Sequence, residues 1–531
     1  MSANQKKKSG AASRILILDF GSQFTQLIAR RLRELEVYCE IYPSDAPFGS
    51  IEKFAPQGLI LSGGPYSVYD PKSPKASTKI WTMNIPVLGI CYGMQYMAAH
   101  FGGNVIAAKT REYGRARIKL KKSSAVIPDF NGELPVWMSH GDEIGQLPAG
   151  FSLTATSHNQ SPAAMEDRAR KLFAVQFHPE VAHTERGIEI LKRFVFEVCK
   201  CVPSWNVGLY MSEKVGEIRK TVGQNVAICA LSGGVDSTVA AALVDQAIGK
   251  QLHCIFVDTG LLRKGEAERV IETYTRHLKL NLRAVDARAR FMKALKGVSD
   301  AEKKRKIIGR EFIRVFEAEA KKIKNAKFLV QGTLYPDVIE SVPPPRAVKG
   351  SSGTVGHSSK IKSHHNVGGL PKNLKFKLVE PLRELFKDEV RKMGRELRIS
   401  AELLGRHPFP GPGLAVRIIG SVTEERLALL REVDAIFIDE IRSHGLYDKI
   451  WQAFAVHLPV QSVGVMGDGR TYDNVVALRA VTSADGMTAD WFRFDSEFLE
   501  RVSNRITGEV RGVGRVVYDL TSKPPATIEW E

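Results

Sequence analysis

The stretch Gly89–Gln95, GICYGMQ, sets a cysteine between two glycines, directly after an apolar run and directly before a helical one. The run Ile85–Ile90 reads as a short buried strand, and Tyr92–Phe101 reads as a helix that ends at Gly102-Gly103. Cys91 therefore stands at a strand-to-helix turn, which the small residues at 89 and 93 allow to tighten. Outward from it, ILILDF, GLILSGG and LFAVQFHPE alternate with helical stretches between Arg14 and about Cys201. That alternation predicts an α/β domain with a largely parallel sheet.

A second series runs from about Trp205 to Arg406, with VAICALSGG, LHCIFVDTG and KFLVQGTLYP as strands. From His407 the segment opening HPFPGPGL is more mixed, with a helix expected near 423–444 and strands near 451–481 and 511–518. The expected fold class is α/β: two successive α/β domains with largely parallel sheets plus a smaller α+β C-terminal domain. The expected divisions are a basic tail at 1–13, then 14–204, 205–406 and 407–531. Ser341–Pro371, rich in Pro, Gly, Ser, His and Lys without periodicity, reads as a mobile loop. No role is assigned to the tail or to the 343–360 part of that loop.

A chain of 531 residues, 44% hydrophobic and 25% charged, is ordinary globular material with length for about three domains. It has no uninterrupted apolar segment of about 18 residues, and MSANQKKKSG lacks an apolar signal core, so a cytoplasmic location away from membranes is expected. The six cysteines are scattered, and only Cys199 and Cys201 lie close together, with no second pair to complete a zinc site. They read as reduced thiols. The net charge of +18 suits nucleic acid, anionic lipid or polyphosphate alike. The basic residues are spread along the chain, with tight runs only at Lys6–Lys8, Lys119–Lys122 and Lys303–Lys306. Solvated surface and phosphate sites are expected, and a nucleic-acid partner is not.

A thiolate is the nucleophilic form of cysteine, and a helix N-terminus favours the anion. QFHPEV, Gln176–Val181, supplies partners: in an extended segment His178 and Glu180 point to one side, so Glu180 can orient the ring while His178 relays the thiol proton. Cys91, His178 and Glu180 are the expected catalytic residues. With its GxCxGxQ elbow and later HPE, the sequence resembles the class I glutamine amidotransferases. That resemblance implies hydrolysis of glutamine through a thioester on Cys91, with release of ammonia. It also implies an oxyanion hole from the turn LSGGP, at Gly63 and Gly64, together with Tyr92. Gln95 and the loop SHGDE, Ser139–Glu143, with Ser139 and His140, would grip glutamine.

ALSGGVDST, Ala230–Thr238, is a strand, a glycine turn and a small-residue helix, Val239–Ile248. The glycines admit close approach and the helix N-terminal amides bind an anion. The Gly-Lys-Ser/Thr ending of a γ-phosphoryl-transfer loop is absent. The string resembles the pyrophosphate loop of ATP pyrophosphatases, which makes Ser232, Gly233, Gly234, Val235, Asp236, Ser237 and Thr238 the expected ATP residues, with Mg²⁺ accompanying the triphosphate. FVDTGLLRKGE, EKKRKIIG, QGTLYPDVIES, KSHHNVGGLP, HPFPGPGL and the terminal KPPATIEWE are together similar to the GMP synthetase family over residues 14–531.

The family reaction is amination of XMP to GMP with glutamine, ATP passing to AMP and pyrophosphate through an adenylyl-XMP intermediate. The resemblance implies XMP contacts from Arg305, Lys523 and Glu529, a lid bearing Lys362, His364 and His365, and a homodimer made by the C-terminal region. Two other readings fit parts of the sequence. A different ATP pyrophosphatase joined to an amidotransferase would act on an NAD precursor or an RNA, and a polyanion-binding protein would carry a degenerate amidotransferase fold. The intact Cys91, His178 and Glu180 argue against degeneracy, and the C-terminal tail argues against other substrates.

Overall fold

The structure, a computed structural model, describes residues 13–341, 376–466, 469–483 and 488–531. The basic residues 1–12, the 343–360 loop and the lid residues Lys362, His364 and His365 lie outside the described residues. Two compact units are present, one up to Tyr210 and one from Met211.

The first unit is built on a nine-stranded sheet. Strands β1 (Arg14–Asp19), β2 (Tyr38–Pro43), β3 (Gly58–Leu61), β4 (Val87–Ile90), β5 (Asn104–Leu120), β6 (Leu134–Gln146), β7 (Ser152–Ser157), β8 (Pro162–Asp167) and β9 (Leu172–Val175) lie in the order β2-β1-β3-β4-β9-β8-β7-β5-β6. From β2 to β9 the pairs are parallel, and from β9 to β6 they are antiparallel. The parallel strands are covered on both faces, which is why β1, β3, β4 and β9 read as unbroken apolar runs. The helix Tyr92–His100 packs Met94 and Met97 into the core formed by Leu16, Leu18, Leu59, Leu61 and Val87.

The second unit holds a five-stranded parallel sheet, ordered β12-β11-β10-β13-β14, from β10 (Val226–Leu231), β11 (Leu252–Asp258), β12 (Leu282–Asp286), β13 (Ala326–Val330) and β14 (Lys377–Val379). A four-stranded sheet follows. In it β16 (Gly469–Thr482) pairs antiparallel with β15 (Gln452–Met466) and β17 (Asp490–Trp491), and parallel with β18 (Val513–Tyr518). One core runs through both: Ile228, Ile255, Phe316 and Leu329 from the first sheet and its helices join Leu430, Phe437, Leu478 and Phe498 from the second. The helices Ala301–Ala320, Glu424–Ser443 and Ser496–Glu509 start where Asp300, Thr423 and Asp495 each accept a backbone N–H in their first turn. Caps of this kind contribute about 1 kcal/mol each.

The chain end is anchored by buried cations. Arg479 on β16 is wholly buried; it donates to the carbonyls of Thr521, Thr527 and Ile528 at 3.0, 2.9 and 2.8 Å and pairs with Asp519 at 2.7 Å. Arg479→Met keeps the length of the side chain but removes the cation from Asp519, which retains only the N–H groups of Trp530 and Thr521, and the donor from these carbonyls. A loss of about 3–5 kcal/mol is expected from the broken buried pair. Urea unfolding of the full chain measures it, and a loss below about 1 kcal/mol would show that the tail is held by other contacts.

Candidate active sites

In the first unit the turn after β4 has the geometry its glycines require. Cys91 has φ +53°, a conformation L side chains rarely adopt, and its N–H donates to Val175 O at 2.8 Å, which ties the turn to β9. A Cβ on Gly93 would lie 2.3 Å from Leu61 O, and one on Gly89 would lie 2.6 Å from Gly93 O. Only glycine fits at either place. Ile90 stands opposite Val175 in parallel register, so the segments leaving β4 and β9 emerge side by side.

His178 lies in the segment leaving β9. Its N–H donates to Trp137 O at 3.0 Å, Thr184 Oγ1 donates to its carbonyl at 2.6 Å, and the Phe24 ring packs edge-on at 5.0 Å. Its Nδ1 is 2.7 Å from Glu180 Oε1, and both side chains are buried. The segment 176–180 is a pair of bends and a turn through Pro179, not the extended strand the alternation argument predicts. β9 ends at Val175, and a chain that curls at proline brings residues two apart together as well as a pleat does. Burial opposes charge on the His178 ring, but the Glu180 carboxylate and a hydrogen bond with Cys91 outweigh it, raising the pKa to about 10. The surroundings therefore favour the protonated ring, placed beside Cys91.

The glycine turn after β3 closes over this group. A Cβ on Gly63 would lie 3.0 Å from His178 Cε1 and 3.5 Å from Cys91 Cβ, and one on Gly64 would lie 2.6 Å from Phe20 O. Among the described residues the N–H groups of Gly63, Gly64 and Tyr92 have no acceptor. Gln95, one turn into the nucleophile helix, donates through Nε2 to Asp142 O at 2.9 Å. The carbonyl of Ser139 stands 3.5 Å from Cys91 Sγ.

One expectation is corrected here. SHGDE is not a loop but part of β6, paired with β5. The side chain of His140 is buried against Glu112, with Nε2 3.2 Å from its carboxylate, so its ring is held within the sheet. Leu134, Val136, Met138 and His140 form the buried face of β6, a period-two pattern visible in LPVWMSH but masked by its polar end.

In the second unit the loop after β10 forms the start of the helix Val235–Ile248, longer by one turn than the predicted Val239–Ile248. Ser232 Oγ and Ser237 Oγ are 3.1 Å apart, and Thr238 Oγ1 donates to Gly234 O at 2.7 Å while lying 2.7 Å from the Tyr274 hydroxyl. Asp236 lies in the first turn of that helix. Arg406 clamps the loop from outside, donating to Gly233 O at 2.8 Å and pairing with buried Glu266. Tyr274, Arg406 and Glu266 escape sequence reading because nothing in their local spacing marks them.

Near the chain end, Arg305 donates to the main-chain oxygen of Glu531. Its neighbour Lys304, fully buried, bonds Ile418 O at 2.6 Å and Glu531 Oε2 at 2.5 Å. The Glu529 carboxylate accepts from Arg417 at 2.9 and 3.2 Å and from Gln452 at 2.6 Å. Lys523 exchanges main-chain hydrogen bonds with Ala489 at 2.8 and 3.0 Å.

The fold and cysteine elbow of the first unit define a class I glutamine amidotransferase, and residues 16–198 match the family described as glutamine amidotransferase class-I. Residues 439–530 match the family described as GMP synthase C terminal domain. The GMP synthase [glutamine-hydrolyzing] of Brachyspira hyodysenteriae is 55% identical over 518 residues, covering 98% of this chain and 99% of its own. That of Carboxydothermus hydrogenoformans is 56% identical over 520 residues, covering 98% and 100%. A solved structure of a putative GMP synthase protein from Thermoplasma acidophilum is 34% identical, covers 36% of this chain and 96% of its own, and has a TM-score of 0.32. The chain belongs to the family of glutamine-hydrolysing GMP synthases.

The two loop glycines differ. Gly233 has φ +79°, and a Cβ there would lie 3.0 Å from Val270 Cγ2, whereas Gly234 has φ −80° and meets only the Ser232 hydroxyl at 3.3 Å. Gly233→Ala should therefore cost about 1–3 kcal/mol of stability, and Gly234→Ala should stay within about 1 kcal/mol of the parent. Denaturant unfolding compares them, and equal losses would contradict the assignment of backbone strain to residue 233.

Proposed function

We propose that this chain converts XMP to GMP, drawing nitrogen from glutamine in residues 14–204, activating XMP with ATP in 205–406, and completing the XMP site and a homodimer with 407–531. The observation that carries the glutamine half is the placement of the buried His178 ring beside Cys91, with its Nδ1 2.7 Å from Glu180 Oε1, on an elbow only glycine neighbours permit. The near-complete match to glutamine-hydrolysing GMP synthases supports the rest.

Cys91 attacks the side-chain amide carbon of glutamine as the thiolate, its proton having passed to His178, and the developing oxyanion is met by the unclaimed N–H groups of Gly63, Gly64 and Tyr92. His178 gives its proton to the departing nitrogen, so ammonia leaves and a thioester remains. The same ring then takes a proton from water as the thioester is hydrolysed to glutamate. In the second unit the xanthine C2 oxygen attacks the α-phosphorus of ATP and displaces pyrophosphate, which the loop 232–238 receives on its helix N-terminus. Ammonia adds at C2 and AMP leaves; adenylylation has turned a poor leaving group into a phosphate ester. Arg305 and Lys523 are assigned to the phosphate of XMP and Glu529 to its purine N–H groups. Among the described residues no group of three or more His, Cys, Asp or Glu could hold a metal ion, so Mg²⁺ would arrive with the triphosphate and Asp236 would be its carboxylate partner. Held by Asp236, the ion would neutralise phosphate charge.

The six cysteines are free thiols, which supports a reducing cytoplasmic location. No helix among the described residues is long and apolar enough to cross a membrane. The homodimer reading is supported by the outer half of the β15–β16 pair. There Val463 faces Tyr472, and these residues are 52% and 64% exposed beside Val465 at 77%.

Cys91→Ala is expected to abolish GMP formation from glutamine while leaving formation from ammonium salts largely intact. Equal loss with both nitrogen sources would refute the division of labour. Val463→Lys with Val465→Lys should halve the mass seen by light scattering, and a parent that is itself monomeric would remove the dimer from this account.

A further inference from the structure

The amidotransferase unit buries a second ionisable pair that the chemistry above does not use. Glu112 on β5 and His140 on β6 face each other with side chains only 5% and 2% exposed. The other carboxylate oxygen of Glu112 accepts from Ser157 Oγ at 3.0 Å and Asn159 Nδ2 at 2.7 Å. Burial alone would lift the Glu112 pKa, but the His140 ring beside it and the hydrogen bonds from Ser157 and Asn159 hold it below the usual carboxylate value. A charge kept at that depth is expensive unless its partners are fixed, so the pair pins the strands that carry it.

The place it pins matters. Along β5 and β6, Ala107 stands opposite Asp142, the register then breaks, and pairing resumes with Glu112 opposite His140. The β6 backbone from Ser139 to Asp142, which spans this break, is the part turned to the nucleophile. Ser139 O lies 3.5 Å from Cys91 Sγ, and Asp142 O receives Gln95 Nε2 at 2.9 Å. His140 Nδ1 lies 3.0 Å from that same Asp142 oxygen, so one ring spans from Glu112 to the carbonyl that holds Gln95. A slip of one residue would turn every side chain of β6 to the other face and both carbonyls away from the elbow.

We infer that Glu112 and His140 are positioning residues of the glutamine site: their buried pairing locks the register that turns the Ser139 carbonyl to Cys91 and the Asp142 carbonyl to Gln95. This rests on Cys91 being the glutaminase nucleophile. The pair touches no reacting atom; it fixes the carbonyls that stand against Cys91 and Gln95, and a displacement of about 1 Å there is enough to cost about a hundredfold in rate.

Glu112→Gln in the full chain tests this, because it keeps shape and the acceptor for Ser157 while removing the charge. Glutamine kcat/KM should fall about tenfold to a hundredfold, mainly through KM. Alkylation of Cys91 by iodoacetamide, which needs only the thiol, should stay within about twofold of the parent, as should GMP formation from ammonium salts. Unchanged glutamine kcat/KM overturns the inference. So does an equal loss in alkylation, since it would mean the pair only keeps the unit folded. Cys91→Ala run alongside separates the premises: if it still makes GMP from glutamine, the nucleophile assignment fails and not the positioning of β6.

Discussion

The parallel register of β4 with β9 is the constraint on which the first site depends. Ile90 opposite Val175 brings Cys91 N–H to Val175 O at 2.8 Å, so the elbow and the His178 segment are placed by one ladder. The geometry tolerates little slack. Gly93 lets the nucleophile helix approach to where its own N–H donates to Ser62 O at 3.1 Å, next to the Gly63–Gly64 turn. The strain at Cys91 is thus held by hydrogen bonds to two neighbouring strand ends, a rigid frame for a residue in a rare conformation.

The second unit relies instead on buried cations. Lys304, Arg417 and Arg479 are all wholly buried, and each pairs with carbonyls or carboxylates of the chain's last residues or of the Gly413–Arg417 segment. Arg417 also lies 4.1 Å from the centre of the Phe454 ring. Part of the +18 charge is therefore structural, not solvated, and the run Lys303–Lys306 is split. Lys304 points inward with 0% exposure, whereas the Lys306 side chain is 73% exposed and pairs only with Glu302.

The sequence made the fold legible where burial dictated composition. Strands covered on both faces must be apolar throughout, so β1, β3, β4 and β9 announced themselves, and glycines at 89 and 93 marked a turn that a side chain would block. Cys91, His178 and Glu180 were singled out in the sequence and lie together in the structure, although the local shape between His178 and Glu180 was misjudged. The rest was hidden for physical reasons. β6 ends in polar residues because its buried face changes from Met138 to His140, and a histidine there looks like a loop residue unless its distant partner Glu112 is known. Arg406 and Tyr274 act on the phosphate loop across 173 and 36 positions of chain, separations at which no local pattern speaks.

The buried thiols give the molecule an internal clock for its own opening. Burial raises the pKa of Cys201 to about 11 and of Cys229 to about 12, and holds Cys199 and Cys254 well above the ordinary thiol value. A thiol-directed reagent near neutral pH finds almost no thiolate at these positions while the chain is folded. Each becomes reactive only in a state that exposes its strand or helix end, and Cys229 and Cys254 sit opposite one another on adjacent strands β10 and β11. Any uptake of label at these two positions would therefore report the opening of the second unit's central sheet, separately from chemistry at the elbow.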